Sequence, residues 1–191
     1  MTPQPASAGC VLEGMAVETD LRGRLLESYR SVDGLYDPSL WWLDHELVSD
    51  MADALAELHA DAEPTLVVGV ESRAFLLGPL VAQRLETGFA EVHKGWHPED
   101  LGEALLRRTT APDYRNRGIV LAMRRHVIRP RDRVLLVDDW IETGAQAGAV
   151  RRIVDDAEAD WVGVAAIVDA LTAGRRQNLN VKSLLRVREV W

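Results

Sequence analysis

Asp138 and Asp139 stand side by side at the end of the apolar run Val134-Leu135-Leu136-Val137, and Glu142-Thr143-Gly144-Ala145-Gln146 follow two residues later. A carboxylate pair accepts hydrogen bonds from hydroxyls or helps to hold a divalent cation. A turn of small residues that opens a helix presents backbone N–H groups, with the helix dipole behind them, to a phosphate. Aimed straight at that phosphate the two acids would repel it. The combination therefore asks for a ligand with two kinds of group. A sugar phosphate with free hydroxyls fits, and so does a diphosphate that chelates Mg²⁺.

A second concentration of charge lies just upstream. Between Ala104 and Arg133, arginines at 107, 108, 115, 117, 124, 125, 129, 131 and 133 are opposed only by Asp113 and Asp132, in a chain of formal net charge −8. The acidic total argues against a general nucleic-acid binder. The local excess suits either a solvated basic face or a site for a highly anionic ligand. His45-Glu46 lacks the second histidine of a zinc motif and reads as helix surface. Cys10 is the sole cysteine, which excludes an internal disulfide and a cysteine-rich metal site.

These groups need a scaffold. "TLVVGV" (65–70), "GFAEVHK" (88–94), "RVLLVDDW" (133–140), "WVGVAAIVD" (161–169) and "VKSLLRVRE" (181–189) read as strands. "SRAFLLGPLVAQRLE" (72–86) reads as a helix, as does the segment whose apolar face is Val150, Ile153, Val154 and Ala157. Asp37-Pro38 predicts another helix start, followed by Leu43, Leu47, Met51, Leu55 and Leu58 at helical spacing. Alternating strands and helices predict an α/β fold with a central, mostly parallel sheet flanked by helices. Gly95 to Pro130 is polar, broken and basic, and too long for an ordinary connection. Residues from about His97 to Val120 are expected to be mobile without ligand and protected with it.

The 191 residues fit one domain. Residues 1–16 read as a flexible tail and 17–191 as a single domain, with 17–60 a hood and helix and 61–191 the ligand-binding core. The opening "MTPQPASAGC" lacks the basic and apolar regions of a signal peptide, and no apolar run approaches the ~20 residues of a membrane span. A cytoplasmic protein with no membrane partner is expected.

In such sheets ligands sit at the carboxyl ends of the strands. No G-x-x-x-x-G-K-[ST] and no G-x-G-x-x-G occurs, which excludes a P-loop nucleotidase and a dinucleotide-binding Rossmann site. In a response-regulator receiver the paired acids end the first strand, whereas here they lie in the last third of the chain.

"VLLVDDWIETGAQ" resembles the phosphoribosyl diphosphate (PRPP) motif of type I phosphoribosyltransferases. "VVGVESRAFLLGPLVAQRL" followed by "GFAEVHK" is similar to the adenine branch of that family, as are "GR" at 174–175 and "SLLRV" at 183–187. The resemblance spans Leu66 to Val187. It implies the type I fold with a small hood and a mobile loop, and transfer of ribose 5-phosphate from PRPP to a purine or purine-like base. It implies Mg²⁺ held mainly by PRPP rather than directly by the protein, and a homodimer. By the resemblance, Asp138 and Asp139 hold the ribose hydroxyls, and Glu142, Thr143, Gly144, Ala145 and Gln146 cradle the 5′-phosphate. Ser72, Arg73 and Lys94 serve the diphosphate. Tyr114 to Gly118 form the closing loop, from which Arg115 and Arg117 reach the departing diphosphate. Loss of either arginine is then expected to act on kcat more than on KM.

The chain departs from that branch at four places. Gln146 replaces a common threonine, as in a xanthine-using branch, and Ala74 replaces the glycine of Ser-Arg-Gly-Phe. His93-Lys94 carries one permanent charge where the branch has a basic pair. Arg115 or Asn116 stands where the branch has a loop glutamate, with Asp113 the nearest acid. The last departure implies another route for the base's proton, or a base other than adenine. The hood falls at "DGLYDPSLWWLDHELV" (33–48), where Tyr36, Trp41 and Trp42 either stack on a base or pack the hood. Trp140 is the stronger candidate for a base wall, and Tyr36 is the second base-pocket candidate. A PRPP-binding regulator or partner without catalysis is the alternative function.

Overall fold

The computed structural model describes residues 20–32, 35–95, 104–112 and 118–190. A helix over 20–28 (α1) leads into an antiparallel hairpin of β1 (Arg30–Val32) and β2 (Leu35–Asp37). The expected helix start at Asp37-Pro38 is instead a 3₁₀ turn, Ser39–Leu43, with Asp37 accepting from the Ser39 N–H at 3.0 Å. The α-helix (α2, His45–Glu57) begins later, because the Asp44 carboxylate caps the N–H groups of Glu46 and Leu47 at 3.0 Å each. Leu47, Met51 and Leu55 form its buried stripe as the spacing predicts, while Leu43, ahead of the cap, is 80% exposed.

The central sheet follows. β3 (Leu66–Val70) leads through α3 (Ala74–Arg84) to β4 (Gly88–Lys94). An antiparallel pair, β5 (Leu105–Thr109) and β6 (Val120–Arg124), adds to the edge beside β4. β7 (Arg133–Ile141), α4 (Ala145–Asp156), β8 (Asp160–Asp169), α5 (Ala173–Leu179) and β9 (Val181–Arg186) complete it. The order is β5-β6-β4-β3-β7-β8-β9, parallel from β4 to β9.

Three sequence expectations change here. The segment from Gly95 to Pro130 is polar and broken in sequence, yet its described parts include a hairpin, paired within itself at Arg107↔Ala122 and onto β4 at His93↔Ala122. The last strand stops at Arg186, and Val187–Val190 turn into a short helix (α6). Helix α3 starts at Ala74, so Ser72 and Arg73 stay in the turn that precedes it. Helix α5 and the β1–β2 hairpin were not foreseen. The tail 1–16 and residues 113–117, with Arg115 and Arg117, lie outside the described residues.

Both faces of the sheet are covered. Leu66, Val68 and Val70 of β3 point with Leu136 and Ala166 toward Val150, Ile153 and Val154 of α4. Val67 points the other way, with Leu135, Val137 and Ile167, toward Leu25, Trp41, Met51, Leu55 and Leu77. This period-two alternation between two apolar layers explains why every residue of β3 is buried. Trp41 is fully buried and its Nε1–H donates to the Leu25 carbonyl at 3.0 Å, so of its two open roles it takes packing. From β3 the chain crosses to β4 over one face, and from β7 it crosses to β8 over the other. The carboxyl ends of β3 and β7 therefore flank a topological switch point, where open α/β sheets bind ligands.

Candidate active site

A cavity of about 610 Å³ opens at that switch point. The turn after β3 contributes Glu71, Ser72 and Arg73, and the end of β4 contributes Lys94. From β7, the turn beyond it and the first turn of α4 come Asp138, Asp139, Trp140, Glu142 and Gln146, and Tyr36 closes one side from the hairpin. The cavity thus gathers Tyr36, Ser72, Arg73, Lys94, Asp138, Asp139, Trp140, Glu142 and Gln146 from the residues singled out in the sequence, whereas the described arginines between Arg107 and Arg133 do not line it. Thr143, Gly144 and Ala145 supply the backbone of the turn between Glu142 and Gln146.

Gly144 adopts φ +73°, the left-handed conformation that glycine tolerates, and a Cβ there would meet Leu179 Cδ1 at 2.9 Å and Leu171 Cδ2 at 3.3 Å. The turn is braced from α5, where Arg175 Nη1 donates to the Thr143 carbonyl at 2.8 Å. Gly144→Ala is expected to destabilise the fold by about 2 kcal/mol through strain and overpacking. Guanidinium chloride unfolding checks this, and an unchanged midpoint would mean that the turn relaxes freely.

The two acids sit in different surroundings. The Asp139 carboxylate is nearly buried and pairs with Arg73, Nη1 to Oδ2 at 2.7 Å. Asp138 Oδ1 accepts the Asp139 backbone N–H at 3.0 Å. Burial, and then the neighbouring Asp139 charge, push the Asp138 carboxyl well above the usual carboxylate range, with Lys94 pulling the other way. Arg73 also lies over the Tyr36 ring, 5.1 Å from its centroid. Tyr36 in turn packs on Trp140 at 4.5 Å between centroids. Burial, with the Asp139 charge, raises the Tyr36 phenol and keeps it protonated.

Glu71 is the charged cavity residue that sequence reasoning passed over. The available signal was its place directly after β3, beside Ser72. The Glu71–Ser72 peptide is cis.

Among the described residues no cluster of three or more metal-ligating side chains occurs. The acid pair is two carboxylates, one of them already engaged by Arg73. That is the donor set expected where a Mg²⁺ ion is held chiefly by substrate phosphates.

A parallel sheet with an acid pair and a phosphate turn at its switch point defines a protein that handles a phosphorylated sugar. The chain belongs to the phosphoribosyltransferase family, whose phosphoribosyl transferase domain matches residues 43–190. It is similar to adenine phosphoribosyltransferases. That of Synechococcus sp. is 34% identical over 148 residues, 77% of this chain and 78% of that protein. That of Natranaerobius thermophilus is 33% identical over 128 residues, 66% of this chain and 71% of that protein. The crystal structure of adenine phosphoribosyltransferase from Rhodothermus marinus shares the fold, with a TM-score of 0.77 at 29% identity, covering 88% of this chain and 99% of that one.

Proposed function

We propose that this protein transfers the ribose 5-phosphate group of PRPP to a ring nitrogen of a purine or purine-like base, with release of diphosphate, as a step of purine salvage. The carrying observation is convergence. The acid pair, the phosphate turn and the Ser72–Arg73–Lys94 group come from three strand ends and line or border one cavity.

In this reading Asp138 and Asp139 accept the ribose hydroxyls, and the backbone of residues 142–146 holds the 5′-phosphate against the start of α4. Arg73 and Lys94 face the diphosphate. The base enters beside Trp140 and Tyr36, so that its nitrogen attacks C1 as the bond to diphosphate breaks. The chain's share of catalysis is positioning and neutralisation of the charge that builds on the leaving group. Mg²⁺, where bound to PRPP, supplies further neutralisation of that diphosphate. By the family resemblance Arg115 and Arg117, which lie outside the described residues, would serve the departing diphosphate. The hood assignment to residues 17–60 and a homodimer rest on family resemblance, and a cytoplasmic location belongs to the same reading. Among the described residues no helix is long and apolar enough to cross a membrane.

A panel of purines and related heterocycles, incubated with PRPP and Mg²⁺ and scored for diphosphate release, tests the proposal. Release with at least one base is expected. PRPP binding without release for any base would turn the reading into the non-catalytic alternative.

A further inference from the structure

Glu71 places a carboxylate in the cavity beside Ser72, Arg73 and Lys94, where the proposed function puts a diphosphate. Left free, its charge would oppose that ligand. It is not free. Oε1 accepts the Lys94 backbone N–H at 2.6 Å, and Oε2 lies 3.2 Å from His93 Nδ1. The Glu71 N–H also donates to the Val92 carbonyl at 3.0 Å. One residue thus ties the turn that carries Arg73 to the strand end that carries Lys94.

His93 is itself held in place. Its Nε2 lies 3.1 Å from Glu91 Oε2, and its ring meets the edge of Phe75 at 5.4 Å between centroids. Phe75 in turn packs edge-on against Phe89 at 6.0 Å. His93 does not line the cavity, whereas the next residue, Lys94, does. Successive strand residues point to opposite faces, so only one of this pair can present its side chain to the ligand.

We propose that His93 is a positioning residue for PRPP capture. Donating from Nδ1 to Glu71, and from Nε2 to Glu91 when both ring nitrogens carry protons, it holds the Glu71 carboxylate on the Lys94 backbone and keeps its charge from turning into the diphosphate subsite. The inference rests on the PRPP reading above. It assigns His93 a role through Glu71 instead of one as half of a cationic pair.

The test uses the full chain and four variants: His93→Ala, His93→Asn, Glu71→Gln and the double variant His93→Ala/Glu71→Gln. Calorimetric titration with PRPP and with inorganic diphosphate, each with Mg²⁺, gives affinities at low and high salt. Steady-state rates with an accepted base give kcat and KM. His93→Ala is expected to raise the PRPP KM and the diphosphate Kd about tenfold, with kcat changed less than about threefold. His93→Asn, whose amide nitrogen can stand in for Nδ1, should restore most of the affinity. The His93→Ala defect should shrink at high salt and in the Glu71→Gln background, where no charge remains to repel the ligand. Glu71→Gln alone should bind diphosphate at least as tightly as the parent, which keeps the test decisive if His93→Ala does not fold.

A His93→Ala protein that binds like the parent overturns the proposal. So does an equal defect in both Glu71 backgrounds, failure of His93→Asn to restore binding, or weakened binding by Glu71→Gln. A parent protein that binds neither PRPP nor diphosphate overturns the functional reading first, and this inference with it.

Discussion

Asp138→Asn is expected to stabilise the fold while it weakens PRPP binding. The Asp138 carboxyl is pushed up by desolvation and by the Asp139 charge, so its ionised form is disfavoured where it sits. Asparagine has the same shape. It keeps an oxygen for the Asp139 N–H and carries no charge to desolvate. A gain of about 1 kcal/mol is in the usual range for relieving such a site. The pH dependence follows from the direction of the shift. Between the ordinary carboxylate value of about 4 and the raised value, the folded protein holds more protons than the unfolded chain. Stability of the parent therefore falls as pH rises through that window, and the loss is complete above it. The asparagine variant should lack this decline, so its advantage is greatest above the window and vanishes below about pH 4.

Binding should move the other way. A hydrogen bond to a charged acceptor is worth about 1.5–3 kcal/mol, so PRPP affinity should drop by at least tenfold. Adding Asp139→Asn should deepen the loss, because it also frees Arg73 from its 2.7 Å partner. Thermal unfolding against pH and calorimetric titration with PRPP and Mg²⁺ measure the two effects separately. Unchanged affinity in a folded double variant would remove the acid pair from the ribose site. An unchanged pH profile in Asp138→Asn would mean that the charge is not strained there.

Asp169→Ala is expected to give the largest loss of stability. The Asp169 side chain is fully buried at the end of β8. It accepts from Arg176 Nε, from Arg186 Nη1 at 2.6 Å and from the Leu171 N–H at 2.6 Å. Removing one side of a buried ion pair costs about 3–5 kcal/mol, because the partners keep their charge and lose its compensation. Here the arginine side chains are 23% and 36% exposed, so water recovers part of the cost and the lower end, about 3 kcal/mol, applies. The consequence reaches the site. Arg176 anchors α5, and the adjacent Arg175 braces the Thr143 carbonyl. A raised KM for PRPP should accompany the lower unfolding midpoint. A cost under about 1 kcal/mol by denaturant titration would show that α5 stands without this cluster.

Sequence reading succeeds and fails in this protein for identifiable reasons. β3 and β7 are buried along most of their length and read as apolar runs, and α4 carries its stripe at Val150, Ile153 and Val154. The β5–β6 hairpin was unreadable because Arg107, Arg108 and Arg124 break its short apolar stretches, and because its place in the sheet depends on the pairing of β6 with β4 across the intervening chain. Asp37-Pro38 looked like a helix start because an Asx-type turn and a helix cap use the same residues. Asp44 decided the matter seven residues later.

Within the site the division is just as physical. The neighbouring acids, the small-residue turn and the strand before them are consecutive residues, so their chemistry is a local property and the sequence alone determined it. That Asp139 is paired with Arg73, 66 residues away, is not local. Neither is the contact of Tyr36 with Trp140 or the hold of His93 on Glu71. These depend on which strands the sheet sets side by side. The energy of a charge depends on its distance to other charges through space and on how much water surrounds it. Only the tertiary structure sets those two quantities, and so it alone decided which acid is strained, which is paired, and which carboxylate is turned away from the ligand.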